Sequence, residues 1–261
     1  MGKITNALKK AAEERMDHIE KKVKLKEREK VVVKKVEESS VDPSIITHFD
    51  PKALVSEQFK VLRTNVLSMN KGNPPKVFGI TSSIHAEGKT VTSLNLAVSL
   101  SQAMHKPKVL LVDADMRKGK MAKYLGVNQD TGLSEVLKGE VDAKDVMFHI
   151  ENENLAFISS GSVPEYPSEL LSSKTFKNFL NDMRMQFDHV IIDTPPIVPV
   201  TDAGIIGAQI DGLIMIIQSG RTQRGIVKRA EELLYQSHTK VLGHVLTNIE
   251  YHLPQYIYRY L

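Results

Sequence analysis

Three short polar segments carry the residues able to do chemistry, and each follows an apolar run. The first is Ser83-Ile84-His85-Ala86-Glu87-Gly88-Lys89-Thr90, which leads into the helical stretch VTSLNLAVSLSQA beginning at Val91. Strand, loop and helix in that order form the context of a phosphate-binding loop. In such a loop successive backbone N–H groups and the helix N-terminus face the phosphates, Lys89 reaches the β and γ oxygens, and the Thr90 hydroxyl takes one Mg²⁺ position. The segment fits GxxxxGK[ST] except that Ser83 stands where the first glycine belongs and Ala86 fills a position that is often glycine. A small Ser or Ala is admitted where the backbone need not take φ > 0, which makes this a variant of the loop. His85 reads either as a ligand contact or as an exposed loop histidine.

The second segment, Val109 to Arg117, places Asp113 and Asp115 two residues apart, and on extended backbone their carboxylates point the same way. Paired acids beside a phosphate call for a cation or a proton. The third, His189 to Pro196, is an apolar run that delivers Asp193 at its end, as expected of the Walker B acid that helps hold Mg²⁺. Arg117 either offsets charge near these acids or forms a structural salt bridge.

Positioning these groups requires a scaffold, and the periodicity supplies one. Strands are expected at 77–81, 109–112, 155–158, 190–192, 213–217 and 241–247, with helices near 89–104, 169–187, 202–208 and 222–236. Strands that are apolar throughout, alternating with helices, indicate an α/β fold with a mostly parallel sheet covered on both faces, and polar motifs at the strand ends are where ligands bind in such sheets. An amphipathic, highly charged helix is expected over about residues 3 to 28, either simply solvated or docking to a membrane or partner. Residues 31–50 lack a sustained period and carry Ser-Ser and Asp-Pro, so they read as a linker, giving an arm and linker over 1–41 and a folded domain over 42–261.

Composition narrows the field. The 261 residues are 41% apolar and contain no cysteine, which excludes a disulfide framework, thiolate nucleophiles and cysteine metal sites. The nine histidines include no HExxH zinc motif. No apolar run approaches the roughly 18 to 20 residues of a membrane helix and no signal core opens the chain, so a cytoplasmic location is expected. The net charge of +4 lies wholly in residues 1–40, with 12 Lys+Arg against 8 Asp+Glu, while the remainder is balanced at 23 against 23. That distribution argues against a nucleic-acid groove across the main domain.

Taken together, SSIHAEGKT, LLVDADMRKGK, GSVPEYPSELLSS and IIDTPPIVPVTDA resemble the Walker A, Walker A′, intervening loop-helix and Walker B segments of the bacterial tyrosine kinases, the BY-kinase family of P-loop autokinases associated with polysaccharide synthesis and export. The resemblance spans roughly residues 50 to 261. It implies ATP bound with Mg²⁺ by Ser83 to Val91, with Arg117 nearby, and metal held by Thr90, Asp115 and Asp193. It also implies that Lys89, Asp113, Asp115 and Asp193 serve catalysis, with Asp113 accepting the tyrosine proton.

Four of the seven tyrosines, Tyr251, Tyr256, Tyr258 and Tyr260, fall in the last 11 residues, where the chain offers no following element to pack against. The resemblance reads them as phosphoacceptors modified between copies; an aromatic terminal strand or docking tail is the alternative. Glu57, Lys60 and Arg63, at i, i+3 and i+6 of a helix, resemble the family's ExxRxxR motif for ring-like self-association, with Lys60 departing from it; an intramolecular surface salt bridge is the alternative. The family further implies a transmembrane polysaccharide co-polymerase as activator, recruitment by it to the inner face of the membrane, and other protein-tyrosine substrates. Two rivals share the fold: a MinD/ParA-type regulatory ATPase, whose deviant loop carries a lysine where this chain has Ile84, and a nucleotide-binding scaffold without kinase activity. A eukaryotic-type kinase is excluded, because HRD and DFG segments are absent.

Overall fold

The computed structural model describes residues 34–36, 41–69, 74–127, 130–150 and 154–249. The N-terminal arm and the four tail tyrosines lie outside the described residues. The strands are β1 Lys34–Val36, β2 Val77–Ser82, β3 Val109–Asp113, β4 Met147–Ile150, β5 Leu155–Ile158, β6 His189–Asp193, β7 Leu213–Gln218 and β8 Val241–Thr247. The helices are α1 Ile46–Phe49, α2 Leu54–Leu67, α3 Lys89–Ser101, α4 Met121–Leu125, α5 Leu133–Lys138, α6 Pro167–Ser172, α7 Lys174–Gln186, α8 Asp202–Gly207 and α9 Arg224–Gln236.

Every residue of β2, β3 and β6 is buried, because helices cover both sheet faces. The strands form one eight-stranded sheet in the order β1-β4-β5-β3-β6-β2-β7-β8. From β5 to β8 all neighbours are parallel; β4 pairs antiparallel with β5, and β1 lies parallel to β4. On one face Phe78, Leu111 and Phe157 pack with Leu94 and Val98 of α3 and with Val66 of α2. On the other, Val190, Ile192 and Leu110 pack with Phe176, Leu180 and Met183 of α7 and Ile206 of α8.

All six expected strands are present, and the expected parallel architecture holds. The expected helix over 169–187 is two helices, because the chain extends at Ser173 (φ −71, ψ 159), whose side chain caps α7 by accepting the Phe176 N–H. The stretch read as aperiodic, 31–50, contains β1 and α1, elements of three and four residues that are too short to show a period. Thr47 of α1 is buried, with its N–H donating to Asn95 Oδ1 at 3.0 Å. Among the described residues no helix is long and apolar enough to cross a membrane.

The strand that feeds the phosphate loop is anchored at its start by Asp211. Its Oδ2 accepts the Lys76 and Val77 N–H groups at 2.7 and 2.9 Å, while Arg184 of α7 pairs with both oxygens at 3.1 and 2.7 Å. Burial works against this carboxylate's charge, but the Arg184 and backbone hydrogen bonds prevail and hold it below the ordinary carboxylate range. A depressed folded-state value means stability that is present above the unfolded-state value and lost as pH falls through the folded one. Asp211→Asn is therefore expected to cost about 1 to 2 kcal/mol at neutral pH, the charged bonds being discounted for partial exposure. In urea denaturation the gap between wild type and variant should narrow as pH falls through and below the ordinary carboxylate range.

Candidate active site

At the carboxyl end of β2 the chain turns sharply, with Ala86 at φ +62 and Gly88 at φ +91. This corrects the expectation for Ala86: its backbone does take the left-handed conformation, at a cost of about 1 to 2 kcal/mol for a residue with a Cβ. Ser83 has no positive φ and needs no glycine. Its buried hydroxyl lies 4.0 Å from Met215 Sδ.

Glu87 bears on this loop more than its sequence position suggests. Only 1% exposed, its carboxylate accepts the Ile84 N–H at 2.8 Å, the Gln218 N–H at 3.3 Å and the Thr222 hydroxyl. Its own carbonyl accepts the Thr247 hydroxyl at 2.8 Å, and the Ala86 carbonyl accepts Arg221 Nη1 at 2.8 Å. The loop is thus fastened to the ends of β7 and β8, and the Glu87 carboxylate is engaged by protein donors.

Gly88 opens α3, which places Lys89 and Thr90 at the helix start. Lys89 Nζ lies 3.1 Å from Asp115 Oδ2 and 3.2 Å from Asp193 Oδ2. The Thr90 hydroxyl donates to Asp193 Oδ2 at 2.8 Å, and Ser93 one turn later donates to Oδ1 at 2.9 Å. Burial disfavours the Lys89 charge, yet Asp193, Asp115 and Asp113 outweigh it and raise Lys89 above the ordinary amine range. Asp193 is raised by burial, against the pull of Lys89 and the bonds from Thr90 and Ser93.

Asp113 and Asp115 do not project side by side. The chain leaves β3 at Asp113, so Asp113 Oδ1 accepts the Asp115 N–H and Oδ2 accepts the Met121 N–H, both at 3.1 Å. Asp115 instead faces Lys89, and its Oδ1 accepts the Lys118 N–H at 3.0 Å. The two carboxylates thus take different partners, Asp113 the backbone N–H groups of Asp115 and Met121 and Asp115 the Lys89 ammonium. Burial, then the charge of Asp193, push Asp113 up to about 7. Arg117 takes the structural option: it donates to Asp202 at 2.7 and 3.1 Å and to Ser168 at 3.0 Å, and it does not line the cleft.

That cleft, of about 380 Å³, has His85, Ala86 and Gly88 with Lys89 to Val91 on one side and Asp115, Lys118, Lys120 and Tyr124 on the other. It falls within the usual size of small-molecule sites. Among the described residues no three His, Asp or Glu side chains form a protein-only metal cage. A hydroxyl and two carboxylates nevertheless suit Mg²⁺, which completes its shell with substrate phosphates and water.

Residues 80–236 match the AAA domain family. The putative tyrosine-protein kinase CapB of Staphylococcus aureus is 34% identical over 211 residues, covering 81% of this chain and 91% of the relative. The chain belongs to the bacterial P-loop tyrosine kinases. Tyrosine-protein kinase YwqD of Bacillus subtilis is 36% identical over 208 residues, 80% of this chain and 87% of the relative. The crystal structure of the chimerical protein CapA2B2 superposes with a TM-score of 0.76 at 31% identity, covering 84% of this chain and 95% of that one. The protein is a protein-tyrosine kinase that binds nucleotide, which removes the switch-ATPase and scaffold readings.

The sequence reading of this kinase missed Ser93, Lys118, Lys120 and Tyr124. Ser93 was legible one helical turn after Lys89, but serine on a helix carries no signal by itself. The self-association candidates fall on α2: Lys60 Nζ pairs with Glu57 at 2.7 Å, while Arg63 turns to the Ser99 carbonyl at 2.6 Å. Two substitutions test the loop. Glu87→Ala strips three donors of a buried acceptor and should cost about 3 kcal/mol in chemical denaturation, with weaker ADP binding by calorimetry. Ala86→Gly should leave stability unchanged or raise it by up to about 1 kcal/mol, relief of strain offsetting glycine's extra unfolded-state entropy.

Proposed function

We propose that this kinase transfers the γ-phosphoryl group of ATP, with Mg²⁺, to the tyrosines of its own C-terminal tail, in trans between copies. The observation that carries the reading is the convergence of Lys89, Thr90, Asp115 and Asp193 at the start of α3. Thr90, Asp115 and Asp193 would hold Mg²⁺, which supplies charge neutralisation at the phosphates. Lys89 sits where it can exchange its carboxylates for a phosphate oxygen. Asp113 takes the phenolic proton as the tyrosine oxygen bonds phosphorus and the bridging bond to ADP breaks. Its raised pKa, set by burial first, suits a group that must both accept and release a proton near neutrality.

The acceptors are Tyr251, Tyr256, Tyr258 and Tyr260. Supporting this, the hydroxyl of Thr247, the last residue of β8, reaches the phosphate loop, so the chain enters its tail beside that loop. The assembly is a head-to-tail ring through α2, where Leu54 and Val61 are 50% and 60% exposed on the face that also carries Glu57. Lys60 and Arg63 would join the contact by exchanging their present partners, Glu57 and the Ser99 carbonyl, for groups of the neighbouring copy. A transmembrane polysaccharide co-polymerase would recruit the kinase to the inner face of the membrane and activate it there, within capsule or exopolysaccharide synthesis and export. Support for that partner is the superposition with the CapA2B2 chimera. Other proteins would serve as further tyrosine substrates.

Intact-mass spectrometry with tail-peptide mapping tests the chemistry. Incubation with Mg²⁺-ATP should place phosphate on the tail tyrosines, and Lys89→Met should abolish it. Mixing the Lys89→Met chain with an active chain whose four tail tyrosines are Phe should label the inactive copy; labelling that never crosses between chains refutes transfer in trans.

A further inference from the structure

The cleft has a second charged wall that the phosphate loop and its acids do not account for. Lys118 and Lys120 line it, both are exposed, and neither forms an ion pair among the described residues. The other cations around the acids are engaged, Lys89 by Asp115 and Asp193, and Arg117 by Asp202 and Ser168.

The backbone under the two lysines is held firmly. The Lys118 N–H donates to Asp115 Oδ1 at 3.0 Å and the Met121 N–H donates to Asp113 Oδ2 at 3.1 Å. Gly119 between them is so tightly enclosed that a Cβ there would lie 2.3 Å from Ser160 Oγ and 2.9 Å from Asp113 Oδ2. Two free ammonium groups therefore stand on a mount fastened by the site's own acids. Such a preorganised pair favours an anion without a large ordering cost in the backbone.

The phosphate loop and Lys89 already provide for the nucleotide, and the lysines belong instead to the segment that carries Asp113, the group facing the acceptor. In the tail, Tyr256, Tyr258 and Tyr260 alternate, so on extended backbone they share one face about 7 Å apart. Once one of them carries phosphate, a charge of roughly −1.5 to −2 accompanies the next acceptor toward Asp113, Asp115 and Asp193. Unopposed, those acids would repel it.

We propose that Lys118 and Lys120 form a phosphotyrosine subsite, binding the phosphate on a tyrosine two residues from the acceptor, so that the first phosphorylation of the tail primes the next. The proposal rests on the reading of the tail as acceptor. The transfer step is unchanged: the acceptor oxygen bonds phosphorus, ADP leaves, and the phenolic proton goes to Asp113.

The test uses the full chain with Mg²⁺-ADP and fluorescein-labelled peptides of residues 248–261, unmodified or carrying phosphotyrosine at 258, read by anisotropy. The phosphopeptide should bind about tenfold more tightly. The preference should vanish in Lys118→Gln/Lys120→Gln and persist in Lys118→Arg/Lys120→Arg. Equal binding of the two peptides by wild type overturns the proposal, as does a preference that survives in the Gln pair. A Gln pair that loses ADP affinity while keeping the peptide preference assigns the lysines to the nucleotide and overturns it too. Phosphate mapping on the full chain separates the two ideas: a labelled tail with no phosphopeptide preference sinks the subsite alone, and an unlabelled tail sinks the tail reading and the priming role with it, whatever the peptide preference.

Discussion

One ammonium group between two buried carboxylates organises this molecule. Asp193 and Asp113 are paired in register at the ends of adjacent strands, and Asp115 follows two residues later. Three acids crowded into a nearly dry strand end would be untenable without a cation, since a buried charge lacking its partner costs several kcal/mol. Lys89 supplies the charge, and Thr90 and Ser93 satisfy the remaining lone pairs of Asp193. For all three to come from one helix, α3 must begin beside the end of β6. The sheet order, with β6 between β3 and β2, accomplishes this. The same arrangement suits a phosphate, which offers Lys89 a new partner.

The fold was legible where burial is complete. Strands such as VLLVD and HVIID are apolar on both faces and cannot be mistaken for loops. β4, sequence MFHI, is half-buried and antiparallel near the sheet edge, and without a strong apolar run it left no trace. Helices α4 and α5, of five and six residues, are too short for a helical period to register. At the site, the residue types announced phosphate chemistry, but backbone direction did not follow from them. Asp113 is taken up by backbone donors while Asp115 reaches Lys89, a division the spacing alone did not give, and the left-handed conformation of Ala86 runs against the preference of its side chain. Lys118 and Lys120 sat in plain view within a basic run, where the usual reading is a solvated surface.

Among the described residues the candidate catalytic groups Lys89, Asp113, Asp115 and Asp193 lie at or just past strand ends and at one helix start. The tail tyrosines, by contrast, lie in the sequence beyond β8. On the proposed reading, rigid chemistry and a separate acceptor segment divide the labour: the core fixes the charges and the tail supplies the tyrosines.

The fastening of the phosphate loop also has a bearing on how the protein is made. Glu87 waits for Gln218, Thr222 and Thr247, residues that leave the ribosome more than a hundred positions after it. A nascent chain holding its Walker A segment, and even both acidic strands, still lacks the loop's outer supports. The nucleotide cradle is thus among the last parts of the domain to set during vectorial synthesis. Full support of the loop therefore waits until β8 has been synthesised, so a ribosome-held chain that stops short of Thr247 still lacks one of its fastenings.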